Sequence, residues 1–152
     1  RNSGYAYYRN SEGIDVRDGM LYMTSKVQKK LFILDLDSGT YLVSSTNSGA
    51  FEGQPDQIAR MVNDKSDIIY FCEDSEKVAA GVHGRNSAGK FFTILEGPDY
   101  ETETTGLAFS PDNMHMYVSF QKNPGHIFDI VREDGYPFNG KTLDIKYHAP
   151  DV

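Results

Sequence analysis

The chain has 152 residues, enough for one domain with a buried core. Its 22 acidic against 15 basic residues leave a net charge of −7, which argues against non-specific binding to polyanionic nucleic acid. No run of about eighteen apolar residues is present to span a bilayer, and the single cysteine, Cys72, excludes an internal disulfide and a thiolate zinc cluster.

Strand signals run along almost the whole chain. "MLYMTS" (20–25), "KLFILDLD" (30–37), "DIIYFCED" (67–74), "KFFTILEG" (90–97), "MHMYVSFQ" (114–121) and "GHIFDIV" (125–131) are short and rich in β-branched and aromatic residues. Gly, Asp, Asn and Pro separate them. No long amphipathic helix interrupts them; "QPDQIARMV" offers at most a turn. The fold class expected is all-β.

Three segments repeat one order of parts: "EGIDVRDGMLYMTS", "PDQIARMVNDKSDIIYFCED" and "TGLAFSPDNMHMYVSFQ". Each has a polar entry, an apolar stretch, a polar turn with Asp, and a strand carrying Tyr. The tyrosines, Tyr22, Tyr70 and Tyr117, fall 48 and 47 residues apart. Units of that size with about four strands are propeller blades. The expectation is one partial β-propeller domain over 1–152, with approximate blades 9–54, 55–103 and 104–152. Three blades cannot close a typical ring of four to eight, so the chain is expected to be about half of one, with a complementary propeller half or a second copy of the chain closing it. The chain opens on Arg1 without an initiator Met, in keeping with a fragment or a processed chain.

"GRNSAGKF" (84–91) comes within one position of a phosphate-cradling P-loop, but Phe91 stands where the Mg²⁺-binding hydroxyl belongs and a strand follows instead of a helix. It is expected to be a turn between two strands of the middle blade. Arg85 and Lys90 in it have the chemistry to hold a phosphoryl group, or they are the solvated tip of a hairpin. "SPDN" (110–113) is a type I turn signal.

In a propeller the loops entering the inner strands meet at one mouth of the central channel. Glu12 and Asp56 stand at the same offset before the first apolar residue of their strands, Ile14 and Ile58, and Glu103 stands two residues earlier relative to Leu107. Converging carboxylates suit a hard cation such as calcium, which accepts six to eight oxygens in loose geometry. Acids common in loops would also place some before strands without any metal. Glu73 and Asp74 are second-rank candidates. Cys72, inside an apolar strand, reads as a buried structural thiol. His83, His115, His126 and His148 show no ligand spacing, and His115 is expected to face outward.

The three repeats, with "GVHGRNSAGKFFTI" and above all "ETTGLAFSPDNMHMYVSFQKNPG", resemble the later blades of the PhoX-type alkaline phosphatase family over most of residues 9–135. The resemblance implies a six-bladed propeller whose channel holds calcium and iron and hydrolyses phosphomonoesters, often in an exported protein: secreted, periplasmic or extracellular. Onto this chain it carries Glu12, Asp56 and Glu103 as channel ligands. The family's early half, with its iron-bound cysteine, has no counterpart here, and Asn113 replaces a usual Gly. The function expected is the C-terminal half of a calcium-dependent phosphomonoesterase, inactive without its complement. The alternative is a non-catalytic propeller module with at most a structural calcium.

Overall fold

Asp18 and Gly19, both at positive φ (50° and 76°), turn β1 (Ser11–Arg17) back onto β2 (Met20–Ser25). Asp-Gly suits this tight hairpin because both central residues of such a turn need left-handed backbone. The remaining elements of the computed structural model are β3 (Lys30–Asp35), β4 (Tyr41–Ser45), β5 (Gln54–Ala59), β6 (Ile69–Asp74), β7 (Ala80–Arg85), β8 (Phe91–Gly97), β9 (Thr104–Phe109), β10 (His115–Phe120) and β11 (His126–Val131). The structure describes residues 7–75, 79–97, 102–140 and 146–148.

The strands form three antiparallel meanders in chain order: β1 to β4, β5 to β8, and β9 to β11. Stacked consecutive meanders with β1, β5 and β9 innermost are sectors of a β-propeller, so the fold is a partial propeller. The third sheet has three strands among the described residues. Tyr147 and His148 lie instead on the second sheet, where Tyr147 bridges Phe92 and the His148 N–H donates to the Phe91 carbonyl at 2.8 Å. Phe138 stays with the third sheet and packs its ring on Phe109.

The middle sheet is covered on both faces. Towards the first sheet, Ile58, Ile69, Phe71 and Phe91 pack with Leu31, Ile33 and Phe51. Towards the third, Tyr70, Cys72, Val82 and Phe92 pack with Leu107, Phe109, Met116 and Val118. Fully burying each such side chain contributes about 1.5–3 kcal/mol. This is why β6 is buried from Ile69 through Glu73 while β11, in an end sheet, alternates between half-buried and exposed residues.

The outer faces of the end sheets are open. Ile14, Val16, Tyr41 and Val43 are exposed on the first sheet, Tyr117, Ile127 and Val131 on the third. Equivalent positions show what is missing there: Ile58 and Leu107 are 5% and 2% exposed against a preceding sheet, whereas Ile14 is 63% exposed. Tyr70, facing the following sheet, is 2% exposed, and Tyr117 is 37% exposed.

"GRNSAGKF" is a hairpin loop between β7 and β8, as its sequence suggests. The Asn86 N–H donates to the Lys90 carbonyl, the Asn86 side chain accepts from the Lys90 N–H, and Gly89 takes φ +79°. "SPDN" closes as a turn with the Asn113 N–H on the Ser110 carbonyl, and Asn113 accepts φ +58°, which Asn tolerates better than most residues. Among the described residues no helix is long and apolar enough to cross a membrane.

Candidate functional site

The strand ends that begin β1, β5 and β9 gather acidic side chains. In the first two sheets the ladder shifts register at the same place, between Ser11 and Ile14 and between Pro55 and Ile58, so Glu12 and Asp56 occupy equivalent bulges. A bulge turns a side chain out of the ladder's alternation. Thr24 secures the junction: its hydroxyl accepts from the Gly13 N–H at 2.8 Å and donates to the Asp56 carbonyl at 2.9 Å. Gly13 has no room for a Cβ, which would lie 2.5 Å from the Ile58 nitrogen.

Asp56 is buried, and its carboxylate hydrogen-bonds the Glu103 carboxyl from the next sheet. That bond, then burial, then the Asp56 charge push the Glu103 pKa up to about 8; the Lys26 charge opposes the shift. Glu103 therefore favours its protonated form near neutrality. The Glu103 backbone bridges Asp74 at the end of β6. Asp74 pairs with Lys26 at 2.6 Å. Burial works against the Lys26 ammonium, but its bond to Asp74 and the fields of Glu103, Asp74 and Asp56 outweigh this and raise its pKa. Three carboxyl groups from two sheets and one ammonium thus meet at one end of the inner strands. Among the described residues no group of three or more His, Cys, Asp or Glu side chains is arranged to hold a metal ion.

Of the residues singled out in the sequence, the structure brings Asp56, Glu103 and Asp74 into this cluster. Glu12 lies on the equivalent bulge but is exposed, with no hydrogen-bond or ion-pair partner among the described residues. Glu73, one residue from Asp74, points to the opposite face of β6. It is fully buried, and both its oxygens are occupied: Oε1 accepts from the Gly53 N–H at 2.6 Å, and Oε2 from the Gly81 N–H at 2.9 Å and meets His83 Nε2 at 3.0 Å. Gly53 and Gly81 are needed there, since a Cβ on either would come within 2.8 Å of Glu73 or His83 side-chain atoms. His83 stacks on Phe51 with centroids 4.3 Å apart, and its Nδ1 lies 3.1 Å from the Thr93 hydroxyl, which in turn meets His148 Nε2 at 2.9 Å. This chain of polar groups seals the core and ties the His148 segment to β8.

Arg85 and Lys90, paired in the sequence as phosphoryl candidates, part company. Arg85 is half-buried and lines a cavity between the first two sheets, whereas the Lys90 ammonium lies 5.9 Å from the Tyr147 ring centre. Cys72 is buried and burial pushes its thiol up to about 12, as suits a structural residue. His115 is partly exposed and pairs with Asp129 at 2.7 Å.

Sequence reasoning overlooked Lys26, Arg17 and Arg60, and read in His83 only the lack of ligand spacing. The hairpin register held a signal for the first: pairing "MLYMTS" with "EGIDVR" around Asp18-Gly19 puts Lys26 at the same end as Glu12. Nothing in the local sequence marks His83, whose partners Glu73 and Thr93 arrive by cross-strand pairing.

No protein-family model matches the chain, and no curated protein matches it. Among solved structures it is similar to regucalcin from Agrobacterium tumefaciens, which is described as a calcium-binding protein. The TM-score is 0.42 with 14% identity, over 90% of this chain and 58% of that one. This chain therefore spans less than two thirds of that protein's length.

Proposed function

We propose that the chain is a sector of a larger propeller whose inner-strand carboxylates contribute to a calcium site, within a PhoX-like phosphomonoesterase that needs the complementary sheets to act. The observation that carries this is the meeting of Asp56 and Glu103, from different sheets, beside Asp74 at one mouth. The donors are of the type a hard cation takes, all carboxylate oxygens, two of the three at strand ends of successive blades, though these three alone are not arranged as a metal site. This chain supplies part of a six-to-eight-oxygen shell, and Glu12, exposed on the equivalent bulge, is the further ligand the spacing suggests. Bound there, calcium would supply charge neutralisation for phosphoryl oxygens. The chain's own part is to aim the carboxylates, with Lys26 balancing their charge.

Iron fits poorly. The chain's one thiol is buried in the core between the second and third sheets, where burial, with the Asp56 and Glu103 charges adding to it, keeps it protonated. Iron enters through the family resemblance alone.

A second reading has its own support. The apolar outer faces around Ile14 and Ile127 suit a complementary half or a second copy of the chain, and a non-catalytic module would use the same faces and keep calcium as a structural ion.

The test is elemental analysis for calcium and iron on the protein as isolated, before chelation, alongside D56N and E103Q. Near-stoichiometric calcium that both substitutions remove supports the site and warrants phosphomonoesterase assays on the closed ring. No bound calcium overturns it and leaves the interaction module.

A further inference from the structure

At the opposite ends of the same strands lies a cavity of about 350 Å³ between the first two sheets. Ligand pockets begin at about this size. Its lining mixes apolar side chains, Met20, Ile33, Leu42 and Ile69, with three guanidinium groups, Arg17 from the first sheet and Arg60 and Arg85 from the second.

Two of these guanidinium groups are already engaged. Arg60 pairs with Asp15 at 2.5 Å and lies 4.5 Å over the Tyr22 ring. Arg17 donates to the Ser66 and Asp64 carbonyls at 3.2 and 2.5 Å and has Asp18 at 3.4 Å. Arg85 differs. Its Nε is buried with no hydrogen-bond partner, and its two Nη groups reach only the Asn86 carbonyl and the Ser44 hydroxyl, both at 3.4 Å. Those contacts are at the long limit of hydrogen bonding. No carboxylate pairs with Arg85 among the described residues. Burial lowers its pKa, opposed by a smaller contribution from Tyr22, and the Phe91 ring centre lies 5.9 Å from the guanidinium carbon. In the loop beside it Gly89 takes φ +79°, and a Cβ there would come 3.2 Å from Arg85 Nη2.

We propose that this cleft binds a small organic monoanion, with its carboxylate on Arg85 and its apolar body against Met20, Ile33, Leu42 and Ile69. A planar carboxylate matches the guanidinium fork. Asp18 and Asp67, also lining the cleft, disfavour a second negative charge on the guest. The site is separate from the acidic mouth and does not depend on the calcium reading.

Benzoate, phenyl phosphate and benzyl alcohol, titrated in chelator into the full 152-residue chain, test this. The readouts are heat and the Arg85 Nε–H resonance. Benzoate is expected to bind saturably and shift that resonance, phenyl phosphate to bind more weakly, and benzyl alcohol not to bind. R85M should weaken benzoate by roughly tenfold or more, the loss expected for a charge-assisted hydrogen bond. R85K, which retains charge without the fork, should be intermediate. Several results would overturn the proposal: no saturable benzoate binding, an unmoved Arg85 resonance, tighter binding of phenyl phosphate, or equal benzoate affinity in R85M. The resonance needs no substitution, so a poorly folded variant leaves the test intact. Chelator keeps any failure of the calcium site out of the result.

Discussion

The two ends of the inner strands handle charge in opposite ways. At the acidic mouth, Asp56 and Glu103 are pressed together from successive sheets, which raises the Glu103 pKa, and Lys26 pairs with Asp74 beside them. At the other end, Arg17 and Arg60 are satisfied by carbonyls and by Asp15, and only Arg85 is left without an acceptor for its Nε. The backbone frame is the same at both ends. What differs is whether the protein supplies the counter-charge, and where it does not, a ligand has something to contribute.

The largest expected effect separates neighbours on one strand. Glu73→Ala leaves His83 and two backbone N–H groups buried without their acceptor and should cost about 3–5 kcal/mol in urea unfolding. Asp74→Asn, one residue on, breaks a partly exposed ion pair and should cost about 0–1 kcal/mol. Similar losses for the two would mean that Glu73 belongs with the acidic mouth after all.

Two of the three guanidinium groups facing the cleft should differ as well. Arg60→Met removes a close ion pair and a ring contact and is expected to cost about 1–2 kcal/mol. Arg85→Met, in the ligand-free chain, removes a half-buried charge without a counter-ion and should leave the thermal midpoint unchanged or raise it. A lowered midpoint in R85M would show that the fold itself uses the guanidinium.

The acidic mouth predicts a pH dependence in chelator. Glu103 titrates at about 8 in the folded chain against an ordinary value of 4.5. Between those values the folded chain holds the extra proton, so stability from this group is full below pH 4.5 and is lost as pH rises through 8. Because Glu103 is largely solvent-screened, the loss should be only about 1–2 kcal/mol. Glu103→Gln should flatten that slope; an unchanged slope would place the titration elsewhere.

The smallest effect concerns Cys72. With its thiol held near 12, it should resist alkylation at mild alkaline pH until the chain unfolds. Rapid labelling of the native chain would contradict the packing of β6 between two sheets.

Much of the fold was legible in local pattern. Alternating short strands, the Asp18-Gly19 turn and the tyrosine repeat are short-range features, and the tyrosines do stand on the second strand of each sheet. The common offset of Glu12 and Asp56 was likewise legible and corresponds to one bulge repeated in two sheets. The site was less so. Glu73 and Asp74 look alike in sequence, but successive strand residues point to opposite faces, and only the packing of neighbouring sheets decides which face is core and which is mouth. Lys90 and Arg85 likewise sit in one loop but diverge, because Arg85 still belongs to β7 and faces the first sheet, whereas Lys90 reaches towards Tyr147.

By itself the sequence determined an all-β chain of repeated strand units with acids at the entries of its inner strands, because period, turn chemistry and offset are local properties. Tertiary structure alone decided that Tyr70 is core while Tyr117 meets solvent, that His148 closes on the second sheet, and that Arg85 lies over a cleft without a counter-ion. Each of those depends on which surfaces face each other across sheets, and residues tens of positions apart carry no local record of their meeting.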